Sequence, residues 1–184
     1  VNNESNKLII PEKIEDDRLK NTKNKEFFVD FETFTDICQT TDSIPKHTNF
    51  NMIFMIGVGW FENNQWYCKQ FISKTPDYKG EEAILNDFYN FISEKPDCIL
   101  YHWKADEFFW KNAIKRMEQT NNLNFNILNW FDLMQVFLDH RIAIRDLYDY
   151  GLKNIATVMN KHNMISTNLE AECNNGMMAM IKAW

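Results

Sequence analysis

The order of its periodic segments constrains the fold of this chain more than any other feature of the sequence. Three runs rich in β-branched and aromatic residues come first, each with the length of a strand, at residues 26–33, 52–61 and 65–73. The second and third runs flank Glu62-Asn63-Asn64, which is typical of a hairpin loop. Predicted helices and short apolar strands alternate after them. This order predicts an α/β fold in which three antiparallel strands precede helical crossovers.

The alternation in the second half of the chain completes the predicted sheet. Apolar residues recur at helical spacing over 80–94 and 106–117, and these helices flank a short buried strand predicted at 98–101. A fifth strand is predicted at 127–131. The remaining helices are predicted at 132–140, where Asp132 is the N-cap, at 151–161 and at 176–184. We therefore expect a mixed five-stranded sheet flanked by helices.

Length and residue content predict one globular domain. The 184 residues are 45% hydrophobic, which supplies enough apolar bulk for a single core. Residues 1–25 mix basic and acidic side chains without a sustained period, so we expect an N-terminal arm or linker there and one domain over 26–184. The densest apolar run, 52–61, has only the length of a strand, and no membrane span is predicted.

The cysteine spacing and the N-terminal residues favour a reducing compartment. Cys38, Cys68, Cys98 and Cys173 form no C-x-x-C pair, which disfavours a zinc ribbon or a dense disulfide framework. The first residues do not form the basic, apolar and small-residue pattern of a secretory leader. We expect an intracellular protein, either cytoplasmic or nuclear.

The charge and the glycine content exclude several classes of function. A formal net charge of -6 argues against a protein that coats nucleic acid, since nonspecific phosphate binding needs a positive excess. It is compatible with a metal-dependent nuclease, whose carboxylates make the site acidic until cations bind. The five glycines form no phosphate-binding loop, and no G-x-S-x-G motif occurs, so neither a nucleotide cofactor nor a covalent hydrolase is indicated.

The first candidate for chemistry is the pair Asp30 and Glu32, which interrupts the aromatic first strand. Side chains two apart on a strand point to the same face, so the two carboxylates are expected to project together. Adjacent carboxylates raise each other's pKa, and a hard divalent cation such as Mg²⁺ satisfies both. The alternative is that this face of the strand is simply solvated.

The second candidate is the acidic pair Asp106 and Glu107, which follows the fourth predicted strand at the start of a helix. Ligands of open α/β sheets gather at the carboxyl ends of the strands, where this pair is expected. The alternative is that both acids only complement the helix dipole. Convergence with Asp30 and Glu32 would create a carboxylate site suited to a two-metal phosphodiesterase.

The motifs and their order resemble the ribonuclease H-like superfamily, and within it the DEDD-type 3′-5′ exonucleases. The resemblance covers about residues 26 to 184. Within this group, the sequence looks most like an exonuclease domain that is often found beside RecB-type nucleases and helicases. Its motifs are FVDFET at 28–33, IGVGWF at 56–61, YHWKADE at 101–107, WFDL at 130–133, YGLKNIATVM at 150–159 and NNGMMAMIKAW at 174–184.

This resemblance implies a metal-dependent nuclease that cleaves DNA or RNA from the 3′ end with two Mg²⁺ or Mn²⁺ ions. The implied metal ligands are Asp30, Glu32 and Glu107, with Asp106 as the alternate to Glu107 and as a further catalytic acid. The implied substrate-binding residues are Thr33, His102 and Lys153. The family's last motif, with the fourth ligand, is expected after Trp184, and further nuclease or helicase domains are expected in the same polypeptide.

Two alternatives remain open at this stage. The chain could keep the fold but bind nucleic acid or a protein without catalysis, because Trp103 and Glu107 depart from the Asn and Asp of many relatives. It could also be an unrelated α/β protein with acids on its surface. The second alternative predicts that Asp30, Glu32 and Glu107 do not converge.

Overall fold

The computed structural model describes residues 8–11, 13–20, 25–34, 52–95, 97–120 and 125–166. The strands of this part of the chain are β1 (Ile9–Ile10), β2 (Glu26–Phe34), β3 (Met52–Glu62), β4 (Gln65–Ile72), β5 (Ile99–His102), β6 (Trp130–Asp132) and β7 (Ala143–Ile144). Its α-helices are α1 (Tyr78–Ser93), α2 (Asp106–Thr120), α3 (Leu133–Asp139) and α4 (Leu152–Lys161), and a short 3-10 helix spans Asp17–Leu19.

Five strands form the main sheet in the order β4-β3-β2-β5-β6. The first three of these, β4, β3 and β2, pair antiparallel, whereas β5 lies parallel to β2 and β6 lies parallel to β5. The predicted mixed α/β fold, with antiparallel strands first and parallel crossovers after them, is confirmed. This order leaves β2 in the centre of the sheet, where it has neighbours on both sides.

The main core lies between one face of this sheet and helices α1 and α2. Phe27, Val29 and Phe31 of β2 are buried on that face, while the residues between them point to the other face. Asp77 is the N-cap of helix α1, and its carboxylate accepts the N–H of Gly80 (2.8 Å). The helices therefore occupy one face and leave the face of Phe28 and Asp30 for other contacts.

A buried ion pair joins helices α1 and α2 to the beginning of β3. The carboxylate of Glu81 on α1 accepts the N–H of Ile53 (2.8 Å) and a guanidinium N–H of Arg116 on α2 (2.6 Å). Glu81 is almost completely buried, so Arg116 supplies the countercharge that a buried carboxylate needs.

A second, smaller core lies beside β5 and β6 and includes the N-terminal segment. It contains Val136, Ile142, Ile144 and Ile155, with half-buried aromatic residues around them. Strand β1 pairs antiparallel with β7, although the sequence predicts neither of these two-residue strands. The carboxylate of Asp16 binds Arg18 and His140, which attaches the segment to α3.

The element boundaries differ from the predicted ones most at β6. The sequence predicts a strand at 127–131, but the ladder covers Trp130–Asp132. Ile127 is fully exposed, so its apolar character does not reflect burial in the sheet. The helix predicted at 176–184 lies outside the described residues. Among the helices that the structure describes, none combines the length and apolar character that a membrane crossing requires.

Candidate functional site

An open cleft of about 960 Å³ lies on the sheet face that α1 and α2 do not cover. Its floor consists of residues from β2, β3 and β4, and one of its walls is the segment 151–154 at the start of α4. Trp103 follows the last residue of β5. It holds this wall in place, because its indole N–H donates to the carbonyl of Tyr150 (2.9 Å). The cleft thus brings together strand and helix residues that are distant in the sequence.

Asp30 and Glu32 lie together on the floor of this cleft. Both belong to the face of β2 opposite Phe31, as the two-residue period of a strand requires. Asp30 remains in contact with solvent, but protein atoms surround it in the cleft, and this desolvation raises its pKa. Desolvation also raises the pKa of Glu32, and the charge of Asp30 raises it further. The pair therefore carries negative charge that the protein only partly compensates.

Lys153 provides part of that compensation from the opposite wall. Its ammonium lowers the pKa of both Asp30 and Glu32. The wall is ordered by Asp149, whose carboxylate accepts the N–H of Gly151 (2.7 Å) and the side-chain amide of Asn154 (2.7 Å). Gly151 is the N-cap of α4, so the positive end of this helix dipole also faces the cleft.

Asp106, at the start of α2, lies next to the strand that carries Asp30 and Glu32. Its Oδ1 accepts the N–H of Phe31 (2.9 Å), which attaches the helix to β2 between Asp30 and Glu32. Burial raises the pKa of Asp106 to about 7, and the nearby charge of Asp30 contributes to the increase. Asp106 is 5% exposed. Three carboxylates of this region, on Asp30, Glu32 and Asp106, therefore have raised pKa values.

Glu107 has a different environment from its neighbour. Its Oε1 forms an ion pair with Lys111 Nζ (2.6 Å), one turn further along α2. Neither Glu107 nor Asp106 is among the residues that line the cleft, but Glu107 points to Lys111 whereas Asp106 points to β2. A shift of one residue rotates a helical side chain by about 100°, which explains why adjacent acids meet different partners.

The two remaining residues of the expected substrate site differ in their relation to the acids. His102 contributes to the lining of the cleft, and its Nδ1 lies 3.9 Å from Oδ2 of Asp106. The ring of His102 packs against Trp130 on the core side of the sheet (5.6 Å between centroids), since Tyr101 occupies the cleft face of β5. Neither ring nitrogen of His102 has a hydrogen-bond partner in the described part of the chain, and burial lowers its pKa. Thr33 follows a bulge after Glu32 and does not line the cleft.

The donor set of the cleft suits a hard divalent cation. Carboxylate oxygens are the preferred ligands of Mg²⁺, which typically binds one or two carboxylates and completes its shell with water and phosphate oxygens. Asp30 and Glu32 provide such a pair. Within the described ranges, no three His, Cys, Asp or Glu side chains come close enough together to form a complete protein site for a metal. A cation bound here would therefore rely on water and substrate for the rest of its coordination.

Several cleft residues have no counterpart among the candidates from the sequence. Gly57 pairs with Asp30 in the register of β2 and β3, and Trp66 of β4 borders the same floor. The two-residue spacing of Gly57 and Gly59 was the available signal, because glycine inside a strand often marks the close approach of a ligand or another group.

Comparison with known protein families gives one match. The model of the RNase_H_2 family, described as RNase H superfamily, matches residues 27–171. The matched segment includes the main sheet except for Glu26, the first residue of β2, together with Asp30, Glu32 and Asp106. A search of curated proteins found no match.

Proposed function

The chain belongs to the RNase H superfamily, and from this premise we propose that its cleft hydrolyses phosphodiester bonds of nucleic acid with the help of divalent cations. Superfamily membership indicates a nuclease-like function, with nucleic acid as the substrate. The observation that carries the proposal is the pair Asp30 and Glu32, which lies in a large cleft with raised pKa values on both carboxylates. Perturbed carboxylates in a cleft are typical of functional sites.

Asp30 and Glu32 are the proposed cation ligands. Their proximity costs folding free energy in the absence of a cation, because each charge opposes the ionisation of the other. A bound Mg²⁺ or Mn²⁺ supplies Lewis-acid activation of the phosphate and of the attacking water. The resemblance to DEDD exonucleases leads us to propose two such ions and cleavage from the 3′ end.

Asp106 is the proposed third carboxylate of the site. Its hydrogen bond with the N–H of Phe31 holds it beside the strand that carries Asp30. A pKa of about 7 means that it binds a proton readily near neutral pH and releases it when a cation is present. Glu107, the residue favoured by sequence spacing, is kept as the alternative and is tested beside it.

Lys153 and the first turn of α4 are proposed to bind the substrate phosphate. The ammonium of Lys153 acts on both carboxylates, so it is close enough to neutralise charge at the site. Helix N-termini favour anions, and Gly151 leaves this end without a side-chain cap. The wall of the cleft would thus position a phosphate above the acids.

One observation favours a second candidate, a module that binds nucleic acid without cleaving it. No group of three metal-binding side chains occurs within the residues that the structure describes. If no further ligand joins the pair, the affinity for cations could be too low for catalysis.

Hydrolysis of end-labelled single-stranded DNA and RNA tests the proposal. With Mn²⁺, the protein is expected to shorten a 5′-labelled strand into a ladder, and EDTA is expected to stop the reaction. Release of the label from a 3′-labelled strand at the earliest times would support the 3′-5′ polarity. Binding without any cleavage, with DNA and RNA and with either Mg²⁺ or Mn²⁺, would contradict the nuclease and support the binding module.

Two variants of α2 test the third carboxylate. Asp106→Asn is expected to lower the rate of hydrolysis roughly 10- to 100-fold, as the loss of a group that supports a metal ligand does. Glu107→Gln breaks the exposed pair with Lys111 and is expected to change the rate only slightly. The reverse result would assign the role to Glu107.

A further inference from the structure

A row of aromatic rings crosses the cleft face of the sheet beside the carboxylates. The row consists of Phe61, Trp66, Phe28 and Tyr101, which come from β3, β4, β2 and β5. The distances between neighbouring ring centroids are 4.8 Å for Phe61 and Trp66, 5.8 Å for Trp66 and Phe28, and 5.5 Å for Phe28 and Tyr101. We refer to these four residues as the aromatic row.

Three rings of the aromatic row are exposed to solvent. Phe61 is 67% exposed, Trp66 is 48% exposed and Phe28 is 38% exposed, while Tyr101 supports Phe28 from a buried position. The burial of large aromatic side chains contributes strongly to stability, so a continuous set that stays exposed indicates a binding surface.

Two glycines of β3 make the floor flat between the rings and the acids. A Cβ atom on Gly59 would lie 2.1 Å from Cζ2 of Trp66, so the indole can lie across the sheet only because this residue is glycine. A Cβ atom on Gly57 would meet only the carbonyl oxygen of Asp30, at 3.6 Å. The space above Gly57 is therefore available to a flat ligand beside Asp30.

We propose that the aromatic row stacks the bases of single-stranded nucleic acid and guides that strand to Asp30 and Glu32. This inference rests on the proposed function for the role of the two acids. Phe28 precedes Asp30 by two residues on the same face of β2, which places them about 7 Å apart along the strand. Phe28, Trp66 and Tyr101 line the same cleft as the two carboxylates.

The chemistry of the row favours a single strand over a duplex. Every base has a flat π-face that stacks on an aromatic side chain, and this contact tolerates any sequence. In a duplex these faces are covered by neighbouring bases, and only base edges and phosphates are accessible. A sheet that presents exposed aromatic rings is a known type of platform for unpaired bases. Lys153 on the opposite wall provides positive charge for the backbone.

Fluorescence anisotropy with labelled oligothymidylate and oligouridylate tests stacking in EDTA, where no hydrolysis occurs. Trp66→Leu keeps an apolar side chain but removes the flat ring, and it is expected to weaken binding roughly 5- to 150-fold, the change that corresponds to one lost base stack. Trp66→Phe is expected to retain most of the affinity. Phe108→Leu is the matched control, because Phe108 is an exposed ring on α2 outside the cleft. Equal affinity of Trp66→Leu and the parent would overturn the proposal, as would tighter binding of a duplex.

Cysteine labelling of the unchanged protein gives an independent test. Cys68 is exposed, lines the cleft and faces Gly59 in the register of β3 and β4. An oligonucleotide that stacks on the row is expected to slow alkylation of Cys68, as followed by mass spectrometry of its peptide. Unchanged alkylation at saturating oligonucleotide would overturn the proposal. If Cys68 becomes protected from alkylation as the protein concentration rises, without oligonucleotide, a second copy of the chain binds this face of the sheet. If Cys68 never reacts, the chain covers its own cleft. Either result would contradict the proposal.

The stacking proposal and the nuclease proposal can be refuted independently of each other. If Trp66→Leu binds normally while Asp30→Asn alone loses hydrolysis, the stacking proposal is wrong and the nuclease stands. If single strands bind through Trp66 but no variant or metal gives cleavage, the nuclease is wrong and the binding surface stands.

Discussion

Replacement of Asp106 by Asn should change how the stability of the protein depends on pH. Burial and the charge of Asp30 raise the pKa of Asp106 to about 7 from the ordinary 3.8. Below pH 4 the carboxyl is protonated in both the folded and the unfolded chain, and it contributes no pH dependence. Between pH 4 and 7 only the unfolded chain ionises it, so the folded state loses stability as the pH rises. Above pH 7 the loss is complete.

The size of this loss follows from the same two pKa values. The difference corresponds to roughly 4 kcal/mol between pH 4 and pH 7, or about 1.4 kcal/mol for each pH unit in that window. Asn is neutral at every pH, and its side-chain oxygen can still accept the N–H of Phe31. The free energy of unfolding of Asp106→Asn should therefore rise relative to that of the parent by this amount over the window.

Urea unfolding in EDTA at several pH values measures this difference. Asp87→Asn is the matched control, because Asp87 is exposed on α1. Added Mn²⁺ should stabilise the parent near pH 7 and reduce the advantage of Asp106→Asn, since a cation takes the place of the proton. A difference between Asp106→Asn and the parent that stays constant from pH 4 to 7.5 would refute the environment described for Asp106.

Two further predictions concern the frame and the floor of the cleft. Arg116→Met should destabilise the protein by about 3–5 kcal/mol in urea unfolding, because it leaves Glu81 buried without its countercharge; the double variant with Glu81→Met should recover most of this loss. An equal loss in the double variant would contradict this reading of the pair. Gly57→Val should fold with a melting temperature near that of the parent, since its Cβ has room, but should bind oligothymidylate about tenfold more weakly. Unchanged affinity would show that ligands do not use the space beside Asp30.

The sequence was sufficient for the sheet and for the first pair of acids. Long runs with a clear period predict β2, β3, β4 and both long helices, because such patterns reflect burial on one face. The same two-residue period places Asp30 and Glu32 on one face of β2. Strands β1 and β7 have two residues each, too few for any period, and only their pairing in the folded chain reveals them.

The details of the second acidic cluster depend on tertiary contacts. Spacing from His102 favours Glu107, whereas the fold brings Asp106 to the N–H of Phe31. The strand predicted at 98–101 begins and ends one residue later as β5. Its register places Tyr101 beside Phe28 and the ring of His102 against Trp130. The aromatic row likewise depends on cross-strand register, because Phe28 and Trp66 are far apart in the sequence.

The binding of Mn²⁺ to the cleft, followed by electron paramagnetic resonance without nucleic acid, tests whether Asp30 and Glu32 form a cation site. The method needs no knowledge of the substrate and reports only on the cation site. The parent and Asp87→Asn are expected to bind Mn²⁺, whereas Asp30→Asn and Glu32→Gln are expected to bind it much more weakly while they remain folded. Equal binding by the parent and both cleft variants would contradict the claim that Asp30 and Glu32 form the cation site.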